Sequence, residues 1–159
     1  MDTSREARFE ALLKELNVEF EKEFVPGANY AIAIQHGPEI HISGQLPRVR
    51  GVLAATGHVG QDVSLEQARF AAQISALRLI AILRQSLGSL SRVRQLLKMN
   101  VYVQSAPGFT QQSEIADAAS EVLYRVLEEA GKHARTSVGV FQLPKNGAVE
   151  IDLTAAIDA

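Results

Sequence analysis

Apolar residues recur at helical spacing in three segments of the chain. Residues 64–87 are apolar on almost every face, and residues 111–130 repeat apolar positions every three to four residues. In residues 3–16 the apolar positions form one stripe, made of Phe9, Leu12, Leu13 and Leu16. This period predicts three helices, and the second should be well buried because it has little polar face.

Residues with capping chemistry stand at the ends of these segments. Ser64 and Gln67 have the spacing of a capping box, in which each side chain bonds the backbone N–H of the other residue. Gly88 follows the same segment and predicts its end. Thr3 and Glu6 repeat the capping-box spacing and predict the start of the first helix.

Alternation of apolar and polar residues predicts strands. Residues 28–35 and 39–44 flank Gly37-Pro38 and are typical of a hairpin, and residues 93–104 form a separate β-branched and aromatic strand. A second hairpin is predicted between Arg135 and Asp152. It would turn at residues 144–147, because the Asn-Gly pair there tolerates positive φ.

The order of elements predicts the fold class. It runs helix, two strands, helix, strand, helix, two strands, which favours an α+β fold with one sheet and two long helices packed on one face. The N-terminal helix is additional to this layer. We expect one domain over residues 1–159, and if the uncovered face of the sheet is apolar, a closed trimer would bury it.

Composition excludes several classes of function. A chain of 159 residues suits one domain with a sizeable core, and a net charge of −2 argues against non-specific nucleic-acid binding. The absence of cysteine excludes disulfides and thiolate nucleophiles. No apolar run could span a membrane and the N-terminus is charged, so we expect a cytoplasmic protein without membrane contact. Without a phosphate loop or metal-ligand spacing, we expect no cofactor and no metal.

The second predicted hairpin would place a cation beside a carboxylate. Val149, Ile151 and Leu153 alternate on one side of the last strand, which leaves Glu150 on the other side. Arg135 stands at the mouth of the neighbouring predicted strand. An enzyme acting on a small carboxylic acid needs one group to hold it and one to move protons. The alternative is a surface arginine and a solvated strand face.

Three motifs occur in one order along the chain. Tyr30 is followed by SGQLP at residues 43–47, LKMNVYVQ lies at residues 97–104, and HARTSVGVFQLPKNGAVEIDLTAAI lies at residues 133–157. In order and spacing they resemble the RidA family, also called YjgF or L-PSP, over residues 30–156. The resemblance implies a chorismate mutase-like core at residues 28–156, with residues 1–20 as an added helical segment, and a homotrimer with clefts between subunits.

The resemblance implies hydrolysis of reactive enamines and imines, such as 2-aminoacrylate, to 2-keto acids and ammonia. Arg135 would grip the substrate carboxylate, supported by the backbone N–H of Ser137, and Gly44 would belong to the substrate-binding loop. Glu150 would orient water and shuttle the proton, and Tyr30 would donate its hydroxyl. Burial should raise the pKa of Glu150 and a nearby Arg135 should lower it, and the sequence leaves the balance open.

The chain departs from the family pattern at several places. Ser137 stands where many members have cysteine, and residues 105–112 look like an insertion. Ala116-Asp117-Ala118 occupies a helical region where members often carry asparagine, so no role is carried over to it. The alternative function is a non-catalytic trimeric module that binds small carboxylates such as 2-keto acids.

Overall fold

Three helices and seven strands are present in residues 1–158, the part of the chain described by the computed structural model. The helices are α1 (Arg5–Glu15), α2 (Leu65–Leu87) and α3 (Gln112–Leu127). The strands are β1 (Ala33–His36), β2 (Glu39–Gln45), β3 (Arg48–Val49), β4 (Val52–Leu53), β5 (Val93–Gln104), β6 (Ala134–Val140) and β7 (Val149–Ile157). Short 3₁₀ turns occupy Leu90–Arg92, Glu128–Gly131 and Pro144–Asn146.

Five strands form one sheet in the order β1-β2-β7-β5-β6. β5 and β6 run parallel, and the other neighbouring strands are antiparallel. β7 alternates buried and half-buried residues along its whole length, and α2 and α3 cover the buried side. This arrangement confirms the predicted α+β class with two long helices on one face of a sheet. β3 and β4 form a separate small hairpin between β2 and α2.

The helix ends follow local capping chemistry. Ser64 and Gln67 form both bonds of the predicted capping box, and Gly88 ends α2 in the left-handed region at φ 80°. At α1 the prediction of Thr3 as the cap is wrong, because Ser4 accepts the hydrogen bond from the backbone N–H of Ala7. The cap lies one residue later, and the helix starts at Arg5.

The second predicted hairpin is wrong. β6 and β7 are not neighbours, because β5 lies between them and pairs with both. A parallel pair needs a crossover connection, and α3 supplies it between β5 and β6. The chain then passes the end of β5 to reach its other side. An Asn-Gly pair indicates only a local turn, and here the turn lies one residue earlier than predicted: residues 145 and 146 have positive φ, of 58° and 60°, and Gly147 has φ −63°.

Gln104 anchors this passage at the end of β5. Its side chain is fully buried. Its Nε2 donates to Asn146 at 2.7 Å, and its Oε1 accepts from the backbone N–H of Leu143 at 2.7 Å and from Gln142 at 3.0 Å. All three bonds hold the segment between β6 and β7, which is where the cleft described below begins.

The first predicted hairpin is confirmed, with a shorter first strand. β1 and β2 pair around Gly37, which has φ +56°. β1 starts at Ala33 rather than at residue 28. Tyr30 therefore lies in the irregular segment before the strand and not within it.

The uncovered face of the sheet is mainly polar. On it Asn100 donates to Asp152 at 2.8 Å, and Lys98 donates to Thr136 at 2.7 Å. Exposed apolar side chains such as Val138 are interspersed. The condition of an apolar face is not met, so the expectation of a trimer rests on the family resemblance.

Arg78 of α2 ties the segment after α1 to the core. Its side chain is almost fully buried. It donates to Glu21 at 2.9 Å, to the backbone carbonyl of Arg48 at 2.9 Å and to Gln45 at 3.2 Å. Its guanidinium carbon lies 4.8 Å from the ring centroid of Phe24. No helix in residues 1–158 has the length and apolarity that a membrane crossing requires, and the cytoplasmic location stays a prediction.

Candidate active site

A cleft of about 530 Å³ lies beside the ends of β2 and β7. It is bounded by the segment before β1, the end of β2 and the turn before β7. Three of the residues predicted from the sequence line it, namely Tyr30, Gly44 and Glu150. Arg48 and Lys145 line it as well and give it two cations that the sequence analysis did not single out.

Glu150 reaches this cleft from the polar face of β7. It pairs in register with Tyr102 of β5, and the neighbouring Val149 and Ile151 are fully buried on the helix side. Gly44 leaves room beside it, because a Cβ at that position would clash with Glu150 Oε1 and displace the carboxylate. The backbone of β2 therefore packs directly against the carboxylate.

The environment of Glu150 favours its protonated form. Burial is the main cause of a raised pKa, and the negative charge of Asp152 on the same strand face adds to it. Among residues 1–158, no hydrogen bond from a side chain or backbone group contributes to this shift. A half-buried carboxyl group with a raised pKa is suited to general acid–base work.

Tyr30 is a peripheral member of the cleft. Its side chain is 53% exposed, and its backbone N–H bonds the carbonyl of Ala28 in a tight bend. Its hydroxyl is free to meet a ligand or a neighbouring subunit.

Arg135 lies on the other face of the sheet. It pairs in register with Met99 of β5, which is fully buried beneath the helices. Its Nη1 donates to Asp117 at 2.8 Å and to Ser120 at 3.2 Å, both on α3. The same face carries Ser137, whose Oγ lies 3.4 Å from Ser113 Oγ.

A chain of hydrogen bonds orients Arg135 from behind. His133 Nδ1 donates to the carbonyl of Gly131 at 2.6 Å, so its Nε2 accepts from the Ser120 hydroxyl at 2.9 Å. The Ser120 oxygen is thereby turned toward Arg135 Nη1. Burial lowers the pKa of His133 and keeps the ring neutral, as this pattern needs.

The prediction that Arg135 and Glu150 lie on neighbouring strands is wrong within one chain. β5 lies between their strands. Their partners on β5 are Met99 and Tyr102, which are three residues apart and therefore point to opposite faces. Arg135 is consequently not among the causes of the Glu150 pKa shift, and burial decides the balance that the sequence left open.

A larger groove of about 650 Å³ lies between α1, the segment after it and α2. It contains none of the predicted site residues. Its cation Arg84 is already paired with Glu10 at 2.5 Å. The smaller cleft is the better candidate site because it holds the carboxyl group with a raised pKa.

Comparison with known proteins bears on this site. Residues 15–157 match the family described as "YjgF/chorismate mutase-like, putative endoribonuclease". Protein TCP17 of Trypanosoma cruzi is 37% identical over 153 residues, covering 96% of each chain. The crystal structure of Atu1372 from Agrobacterium tumefaciens, of unknown function, has a TM-score of 0.86 at 38% identity and covers 97% of this chain and 95% of its own.

A structure from Shewanella oneidensis MR-1, also described as a putative endoribonuclease, is similar over a comparable length. Its TM-score is 0.88 at 26% identity, covering 98% of this chain and all of that one. The family match starts at residue 15 and so leaves α1 outside. The three relatives named above align with almost the whole chain, including α1.

Proposed function

The chain belongs to the YjgF/chorismate mutase-like family, and on that premise we propose that it hydrolyses reactive enamines and imines of the 2-aminoacrylate type. The products would be a 2-keto acid and ammonia. One observation carries the proposal: Glu150 is a half-buried carboxyl group with a raised pKa, in a cleft that also holds Gly44 and Tyr30. Proton transfer near neutral pH needs such a group.

We propose that two subunits complete each site. Within one chain Arg135 lies on the opposite face from Glu150, so one molecule cannot hold a small substrate between them. Strand β6 is an edge of the sheet, with one side left unpaired within residues 1–158. In a threefold ring, each β6 edge would meet the cleft of the next subunit, and this head-to-tail contact closes after three copies.

The chemistry divides between the two halves. Arg135 has a planar fork that binds a carboxylate through two parallel hydrogen bonds, with Ser137 beside it on the same strand. Glu150 in its charged form takes a proton from water as the water oxygen bonds to the carbon of the protonated imine, and the C=N π electrons move to nitrogen. Glu150 then returns that proton to the amine nitrogen of the carbinolamine. The C–N bond breaks and ammonia leaves as the C=O bond of the keto acid forms, and the hydroxyl proton passes to the Glu150 carboxylate, which releases it to solvent. Tyr30 would donate a hydrogen bond to the bound substrate.

The family description also contains an endoribonuclease label. Imine hydrolysis is the better fit to this chain, because RNA binding draws most of its affinity from cations that displace counterions. The net charge here is −2.

The test is to add the protein to a dehydratase that generates 2-aminoacrylate or 2-iminobutyrate and to follow imine absorbance and ammonia. We expect faster loss of the imine with stoichiometric ammonia release. Binding of 2-ketobutyrate without any effect on this rate would instead favour the binding module.

A further inference from the structure

Only one nitrogen of the Arg135 guanidinium makes hydrogen bonds within residues 1–158. Its Nη1 makes both of its bonds within the chain, to Asp117 at 2.8 Å and to Ser120 at 3.2 Å. Its Nε and Nη2 donate to no group in the part of the chain that the structure describes. These two nitrogens form the edge of the fork that binds a carboxylate with two parallel bonds. A ligand carboxylate can therefore bind there without displacing Asp117.

Asp117 then remains beside the bound ligand. Its side chain is 59% exposed, so its second oxygen is accessible to an incoming group. A ligand that carries only a carboxylate would bring a second anion to a guanidinium that already has one. The like charges disfavour it, since two anions a few ångströms apart repel in a partly buried site.

We propose that Asp117 makes the Arg135 site selective for zwitterionic ligands, in which a cationic nitrogen stands next to the carboxylate. This rests on the proposed function, because it assumes that Arg135 holds the ligand carboxylate. Asp117 accepts a hydrogen bond from the ligand ammonium or iminium, while Arg135 binds its carboxylate. The chemical class selected is the 2-iminium or 2-ammonium acid, and 2-keto acids are disfavoured.

This selection has a direct consequence for turnover. The protonated imine of a 2-keto acid is a zwitterion, and the keto acid left after hydrolysis is a simple anion. Asp117 therefore stabilises the bound substrate over the product. It also favours the protonated C=N bond, whose carbon accepts water more readily than that of the neutral imine. The keto acid product still binds Arg135 but no longer has a nitrogen that donates to Asp117, and this favours its release.

The test compares two ligands with one carbon skeleton, 2-ketobutyrate and L-2-aminobutyrate, by calorimetry. The variant is Asp117→Asn, which keeps the shape of the side chain and removes its charge. Glu121→Gln is the matched control, because it removes from the same helix a carboxylate whose charge acts on Arg125. Arg135→Ala is measured alongside, and circular dichroism confirms that each variant is folded.

We expect Asp117→Asn to tighten 2-ketobutyrate binding and weaken L-2-aminobutyrate binding, so that the ratio of the two affinities changes by roughly tenfold or more. Glu121→Gln should leave the ratio as in the wild type. An unchanged ratio in Asp117→Asn, with binding that still depends on Arg135, overturns the role of Asp117 and leaves the carboxylate site standing. Binding that is absent, or indifferent to Arg135→Ala, overturns the carboxylate site and this inference together.

Discussion

At the scale of single residues, Glu150 is defined by what surrounds it. Gly44 leaves room for its carboxylate, burial removes water from it, and Asp152 adds a like charge. Burial and Asp152 favour the proton on Glu150, and neither depends on Arg135. The acid–base half of the site is therefore complete within one chain, and the carboxylate-binding half is displaced from it.

Glu150→Gln should separate binding from chemistry. The amide keeps the shape of the side chain but cannot take up and return a proton, so turnover should fall roughly a hundredfold or more. Affinity for a 2-keto acid should hardly change, because Arg135 still holds the carboxylate. Imine absorbance and calorimetry measure the two effects. Loss of both would make Glu150 structural, and loss of neither would support the solvated strand-face alternative.

The same variant has a second signature in stability. Because the folded-state pKa of Glu150 is raised, the folded protein binds this proton more tightly than the unfolded chain does. Its contribution to the free energy of unfolding is present at low pH and lost as pH rises through the folded-state pKa. Glu150→Gln should gain thermal stability relative to the wild type as pH rises above about 4, near the pKa of glutamate in an unfolded chain. If the stability difference between Glu150→Gln and the wild type did not change with pH, the pKa of Glu150 would not be shifted in the folded protein.

Arg135→Ala should abolish imine hydrolysis and leave the fold intact. Its partner Asp117 is largely exposed and becomes solvated when the arginine is removed. Arg135→Lys should restore little, because a point charge cannot replace the planar fork. Arg94→Ala, which removes an exposed arginine of β5, is the control and should retain activity. If Arg135→Ala hydrolysed imines at the wild-type rate, Arg135 would not be the residue that holds the substrate carboxylate.

At the scale of elements, sequence predicted what local chemistry decides. The bounds of β5 and the capping box of α2 agree with the structure, because periodicity and caps act within a few residues. The pairing of β6 with β5 depends on the crossover through α3, which no local turn signal reports. The turn at Pro144–Asn146 joins strands on the two sides of β5.

For the candidate site, too, sequence predicted what depends on local motifs and not what depends on tertiary contacts. The motifs brought attention to Arg135 and Glu150, and the structure places them on opposite faces. Asp117 was left without a role because it departs from the family pattern, and its contact with Arg135 spans α3 and β6. Tertiary contacts of this kind have no signature in the spacing of residues along the chain.

The contacts of Arg78, which join the segment after α1 to α2, give a prediction at the scale of elements. Arg78→Ala would leave Glu21 without its cation in a partly buried site, so the free energy of unfolding should fall by about 3–5 kcal/mol. Arg94→Ala breaks the exposed pair with Asp158 and should cost at most about 1 kcal/mol. Urea denaturation measures both. Equal effects would mean that burial of the Arg78 pair does not matter.

At the scale of the whole molecule, the proposed shared site requires assembly. We expect a homotrimer at micromolar concentration, with about three chain masses by light scattering, as threefold closure requires. The sheet face is too polar to drive this by apolar burial alone, so contacts at the β6 edge and the cleft should contribute. A stable monomer would exclude a site shared between subunits.

The most direct test of the shared site is to mix two inactive variants. Arg135→Ala and Glu150→Gln are unfolded together in equal amounts, refolded to let subunits exchange, and assayed for imine hydrolysis. If each site takes Arg135 from one subunit and Glu150 from the next, random assembly leaves about a quarter of the sites intact, and about a quarter of wild-type activity should return. Each variant refolded alone should stay inactive. A mixture as inactive as its components, with trimers formed, would contradict the shared site.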